Sequence, residues 1–134
     1  MNDLNIHADI KKKLDTFISE NKTPHIIFHG DSGSGKRRLV NYFIQKLYKN
    51  DVNIIKDYVM YVNCSHGKGI KFIRNELKFF AKTNIKNKSQ FKSIILINAD
   101  KLTIDAQSAL RRCIELFSST TRFFIIIENI EKLL

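Results

Sequence analysis

One eight-residue string, Gly30-Asp31-Ser32-Gly33-Ser34-Gly35-Lys36-Arg37, limits what this chain can fold into more than any other feature. It approaches the pattern G-x-x-x-x-G-K-S/T. The glycines of that pattern let successive backbone N–H groups curl round a phosphate, the lysine reaches the terminal phosphates, and the hydroxyl holds Mg²⁺. The glycines and Lys36 are in place, but Arg37 stands where the hydroxyl belongs. Such a loop predicts a chain that can hold a nucleotide and is poorly equipped to cleave one.

The flanks agree with the loop. His25–His29 is a short apolar run of strand-forming residues ending at a glycine, which reads as a buried parallel strand. Leu39, Val40, Phe43, Ile44 and Leu47 then recur at helical spacing. Strand, glycine loop and helix together aim helix N-terminal N–H groups, and the positive end of the dipole, at an anion. A glycine–serine turn joining a strand to a helix without any ligand is the competing reading.

The remaining pattern is α/β alternation. Ile6, Ile10, Leu14, Phe17 and Ile18 mark an opening amphipathic helix that stops before Pro24. Strands are predicted at Tyr58–Asn63, Ile94–Ile97 and Phe123–Ile127, and helices at Gly69–Ala81 and Thr103–Phe117. Thr103 is the expected N-cap of the last helix, with Asp105 complementing its dipole. Strands separated by helices predict a parallel sheet covered on both faces, with its ligand crevice at the strands' carboxyl ends.

A chain of 134 residues, 43% of them hydrophobic, suits one domain with one core. Cys64 and Cys113 lie in apolar surroundings and read as small buried side chains rather than a disulfide framework. No apolar run approaches a membrane span, and the N-terminus carries charges in place of a signal-peptide core, so the expectation is an intracellular chain with no membrane partner.

The net charge of +10 raises the prospect of a polyanionic partner. Lys68, Lys71, Arg74, Lys78, Lys82, Lys86, Lys88 and Lys92 form a run broken only by Glu76. At about 100° per residue, Lys71, Arg74, Lys78 and Lys82 share a stripe roughly 80° wide, beside an apolar face of Ile70, Ile73, Leu77 and Phe80. By itself the stripe fits a solvated helix face as well as it fits a row of phosphate contacts.

The stretch from Phe91 to Arg112, with its Asp100-Lys101-Leu102-Thr103-Ile104-Asp105-Ala106-Gln107-Ser108-Ala109-Leu110-Arg111-Arg112 string, closely resembles the small subunits of replication factor C, clamp loaders of the AAA+ ATPase class. Val62-Asn63-Cys64-Ser65, followed by Gly69-Ile70 and Ile73-Arg74, resembles a second segment of that family, and Arg122-Phe123-Phe124-Ile125 resembles the strand that carries its sensor 1. The resemblance runs from about residue 24 to the end. It implies a P-loop AAA+ three-layer core with a parallel sheet, one nucleotide-binding unit over residues 1–134, and ATP or ADP as the ligand of Gly30–Arg37.

The resemblance also implies partners: other clamp-loader subunits, a sliding clamp and primed double-stranded DNA, in the nucleus or at a viral replication site if the source is eukaryotic or viral. Lys68, Lys71, Arg74 and Lys101 become the phosphate-contact candidates, with no sequence information in such contacts. Gln107, Arg111 and Arg112 become subunit-interface candidates, although solvated or internally paired arginines would look the same.

Departures from the family decide the chemistry. Its Mg²⁺-binding Asp and catalytic Glu would end the third strand, where this chain has Ile97 and Asn98. With Arg37 in place of the hydroxyl, two of the usual Mg²⁺ supports are gone, and no base remains to orient an attacking water. Asp100 belongs to the turn before the next helix, and the sensor 1 asparagine aligns with Glu128, one residue before Asn129. No catalytic or metal-ligating residue is therefore assigned. The chain ends before the family's Ser-Arg-Cys motif, fifth strand, lid and collar, leaving the strand before the P-loop as an expected sheet edge. The leading expectation is a non-hydrolysing loader subunit. An active ATPase of the same family, or a shortened remnant without an assembly role, are the alternatives.

Overall fold

The computed structural model describes residues 8–20, 22–30, 35–65, 70–82 and 91–128. In chain order these form α1 (Ala8–Ser19), β1 (Ile26–His29), α2 (Lys36–Leu47), α3 (Val52–Tyr58), β2 (Val59–Asn63), a basic helix α4 (the contiguous segments Ile70–Phe72, Ile73–Leu77 and Lys78–Lys82), β3 (Lys92–Ile97), a 3₁₀ turn (Ala99–Lys101), α5 (Ile104–Phe117) and β4 (Thr121–Ile127). The strands make one sheet in the order β1-β4-β3-β2, parallel at every pairing.

Register explains how an apolar strand serves two cores at once. Ile94 pairs with Phe123 and Leu96 with Ile125, and these side chains bury against Leu77 of α4 and Leu110 of α5 on one face. Their neighbours Ile95, Phe124 and Ile126 point the other way, onto Phe43 and Ile44 of α2 and Leu14 of α1. Successive residues of a strand face opposite sides, so a sheet covered on both faces reads as unbroken apolar sequence. The result is the expected three-layer α/β core with a parallel sheet.

Caps set several boundaries. Thr103 accepts the Ala106 N–H at 3.1 Å through its hydroxyl, as its position predicts. Asp51 accepts from the backbone of Asn53 and Ile54 and starts α3, a helix absent from the sequence expectations. A seven-residue helix carries too few turns for its periodicity to register.

The basic helix also differs from expectation. α4 opens as Ile70–Phe72, widens into a π-helical segment at Ile73–Leu77 and closes as Lys78–Lys82. The wide turn breaks the regular angular step. Ile73, Leu77 and Ala81 form the buried row, while Phe80 is only partly buried and Phe79 is exposed. Both cysteines are buried and outside any disulfide, and burial pushes the Cys113 thiol up. No helix among the described residues is long and apolar enough to cross a membrane.

Candidate nucleotide site and basic face

Gly35 adopts the left-handed conformation (φ 84°, ψ 17°) immediately before α2, a geometry that costs glycine nothing. Among the described residues no side chain caps α2, and its first turn carries no acidic residue to offset the positive helix end. The Lys36 ammonium donates to the Gly30 carbonyl, drawing the two ends of the loop together. Asp31, Ser32, Gly33 and Ser34 lie outside the described residues. Gly35 and Lys36 thus put a left-handed glycine and an ammonium group at the N-terminal end of α2.

Arg37 is exposed on the first turn of α2 and lines a cleft of about 180 Å³ with Val40, Asn41, Tyr61, Ile97 and Ile126. Tyr61 donates to Asn41 Oδ1 at 3.2 Å across this cleft, and burial raises its phenol. Ile97 ends β3 as an apolar side chain. Asn98 follows in the left-handed region (φ 61°, ψ 42°), its N–H bonded to the Ile126 carbonyl at 2.9 Å and its side-chain amide to Asn63 Oδ1 at 3.3 Å. Asn63 Oδ1 also accepts from Ser65, through N–H at 3.0 Å and hydroxyl at 2.6 Å. Asp100 is buried in the 3₁₀ turn, as expected of a turn residue, and Glu128 is exposed just after β4.

This donor set does not fit Mg²⁺. The ion wants hard oxygen ligands in octahedral array, and the cleft offers aliphatic side chains, an engaged amide and a guanidinium. Among the described residues no group of three His, Cys, Asp or Glu side chains could hold a metal.

A second cleft of about 550 Å³ runs from Gly30 and Lys36 along β1 to α1, lined by Leu14, Phe17, Ile27 and Leu39. β1 lies at the sheet edge, as expected, with Ile27 46% exposed. The β1–β4 pairing is continued by one residue through a side chain that the sequence reading overlooked: His25 Nδ1 accepts the Phe123 N–H at 3.0 Å.

The basic residues fall into distinct environments. Lys71 and Lys101 are exposed, on the first turn of α4 and in the 3₁₀ turn. Lys68 lies outside the described residues, and so does the side chain of Arg74. Lys78 leaves the predicted stripe: the π-helical turn sets it half-buried in a groove of about 390 Å³ with Asn75 and Arg112. Lys92 is 3% exposed, donates to the Phe80 carbonyl at 2.6 Å, and has its pKa lowered by desolvation, so it is a core residue and not part of a charged surface.

The interface candidates also separate. Arg111 and Arg112 are exposed on α5. Gln107, expected as a subunit-interface candidate, is instead buried, and its amide donates to the Leu102 carbonyl at 3.1 Å. It satisfies a turn carbonyl inside the chain and presents no surface to a partner.

Comparison with known proteins now bears on this geometry. A replication factor C small subunit of Sulfolobus acidocaldarius is 38% identical over 126 residues, 94% of this chain and 38% of that protein. Human replication factor C subunit 5 is 38% identical over 134 residues, 100% of this chain and 39% of that protein. This chain is a relative of the replication factor C small subunits. Replication factor C subunit 3 of Schizosaccharomyces pombe agrees, at 38% identity over 133 residues, 99% of this chain and 38% of that protein.

The chain thus spans under two fifths of the length of these replication factor C relatives. No family model matches it. Among solved structures, a DNA polymerase III gamma subunit-related protein of Thermotoga maritima superposes with a TM-score of 0.71 at 19% identity, covering 90% of this chain and 41% of that one. That likeness supports the α/β fold with its parallel sheet.

Proposed function

We propose that residues 1–134 form the nucleotide-binding core of a clamp-loader subunit. This core holds ATP or ADP at Gly30–Arg37 without hydrolysing it, and works beside other loader subunits as a sliding clamp is placed on primed double-stranded DNA. The observation that carries the reading is the end of β3, where Ile97 and Asn98 stand in place of the two carboxylates the chemistry needs, beside a helix terminus and lysine that suit a phosphate.

The residues divide the work by position. The uncapped start of α2 and Lys36 would bind the phosphates, and the apolar cleft along β1 would take the flat base. In relatives that retain them, a metal ion and a carboxylate supply charge neutralisation and orient the attacking water. The amide of Asn98 cannot accept a proton from water at neutral pH, and its bond to Asn63 turns its donor atoms toward β2. Lys71 and Lys101 are the described candidates for DNA phosphates, and Arg111 and Arg112 for a neighbouring subunit.

The test is nucleotide binding and turnover by the purified chain, paired with co-purification from cells holding intact loader subunits. Binding that falls on Lys36→Ala, turnover at background, and recovery with loader subunits support the reading. Neither Arg37→Thr nor Asn98→Glu alone restores turnover, because each leaves the other defect and Ile97 in place. Lys36-dependent turnover by the unaltered chain overturns it, as does a stable monomer with affinity for neither loader subunits nor clamp.

A further inference from the structure

The chemistry around Arg37 says more than that hydrolysis is impaired. Resting on the nucleotide reading above, we infer that this site takes a nucleoside di- or triphosphate free of divalent metal, with the Arg37 guanidinium as the counter-charge. Three features of the described residues converge on this. Arg37 sits one residue after the phosphate-directed lysine, on the exposed first turn of α2, and lines the cleft closed below by Ile97 and Ile126 at the carboxyl ends of β3 and β4. No carboxylate lines that cleft, and its amide oxygen, on Asn41, already accepts from Tyr61. Arg37 makes no hydrogen bond or ion pair with any described residue, so its donors are not spent on those residues.

Charge and geometry then favour one occupant over the other. A divalent cation entering the cleft would meet the Arg37 guanidinium and, among the described residues that line it, no carboxylate. Phosphate oxygens meet the reverse: a planar fork of N–H donors that matches them two at a time. Lys36 and Arg37 together supply two positive charges next to the helix terminus, the same compensation a divalent ion would bring. A site built this way is indifferent to Mg²⁺, or loses apparent affinity when Mg²⁺ sequesters the nucleotide in solution.

The experiment is calorimetric titration of the full chain with ADP and with ATP, in EDTA and then in excess Mg²⁺. It is repeated with Arg37→Ser and Arg37→Lys, and each variant's fold is checked by thermal unfolding, since Arg37 is exposed. The expected result is binding in EDTA that Mg²⁺ leaves unchanged or weakens. In EDTA, Arg37→Ser lowers affinity about tenfold or more, the loss of one charge-assisted contact, and Arg37→Lys recovers part of it. Binding that Mg²⁺ strengthens overturns the inference while leaving the nucleotide reading intact. Undiminished binding by Arg37→Ser in EDTA overturns it as well. No binding in either buffer removes the inference together with the reading on which it rests.

Discussion

The side-chain amide of Asn98 reaches across from β3 to Asn63 Oδ1 at the end of β2, 3.3 Å away, while its own backbone is held in the left-handed region at φ 61°. Asparagine tolerates that conformation and a β-branched residue does not. Asn63 Oδ1 keeps two donors from Ser65 if Asn98 is lost. Asn98→Val should therefore cost about 2 kcal/mol and Asn98→Gly less than half of that. Urea unfolding of the two variants checks it. Equal losses would assign the energy to the side-chain bond instead of the backbone.

His25 predicts a pH dependence. Its Nδ1 accepts the Phe123 N–H, so protonation removes the acceptor, and its pKa is lowered from 6.5 first by burial and then by Arg122. A depressed folded value means the contribution is whole above pH 6.5 and fades as pH falls through the folded value. Unfolding free energy measured from pH 7.5 to 5 should decline in the lower part of that range, and His25→Gln should flatten the decline.

Tyr48 ties α2 to the start of β3. It is 2% exposed, and its hydroxyl lies 2.7 Å from both the Phe91 carbonyl and Ser93 Oγ. The single phenolic proton goes to the carbonyl, which leaves Ser93 as donor to Tyr48, and desolvation holds the phenol well above its ordinary pKa. Tyr48→Phe strands both partners and should cost about 1–3 kcal/mol by urea unfolding. Adding Ser93→Ala should recover part of that loss.

DNA binding separates the exposed cations from the buried one. Lys71→Ala and Lys101→Ala should each flatten the salt dependence of primed-duplex binding by about one unit, alike for all sequences. Lys92→Met should leave the slope unchanged, because that ammonium is committed to the Phe80 carbonyl. A slope indifferent to Lys71 and Lys101 would return them to ordinary solvated surface.

On α5 the polar positions should respond in opposite ways. Charge reversal at Arg111 and Arg112, both exposed, should change stability by about 0.5 kcal/mol or less and abolish co-purification with loader subunits. Gln107→Ala should instead cost about 1–3 kcal/mol by leaving the buried Leu102 carbonyl without its donor. Pull-down and thermal unfolding on the same variants distinguish the two effects.

Local chemistry settled most of the architecture in advance. The unbroken apolar runs at Ile94–Ile97 and Phe123–Ile127 required strands buried on both faces, and Thr103 required a helix start, because such preferences act within a few residues. The P-loop string likewise located the candidate site, since its glycines and lysine work through backbone close to them in sequence. Side-chain fates that depend on distant chain were illegible. Lys92 looked like one more surface lysine until α4 brought the Phe80 carbonyl to it, and Gln107 looked like an interface residue until the turn before α5 offered Leu102. The π-helical turn in α4 moved Lys78 out of its stripe, and Asn63 met Asn98 only because β2 and β3 are neighbours in the sheet. Sequence periodicity reports which face of an element is apolar. Which polar groups are then spent inside the fold is decided when separate elements close on one another, because a buried donor or acceptor must find its partner there.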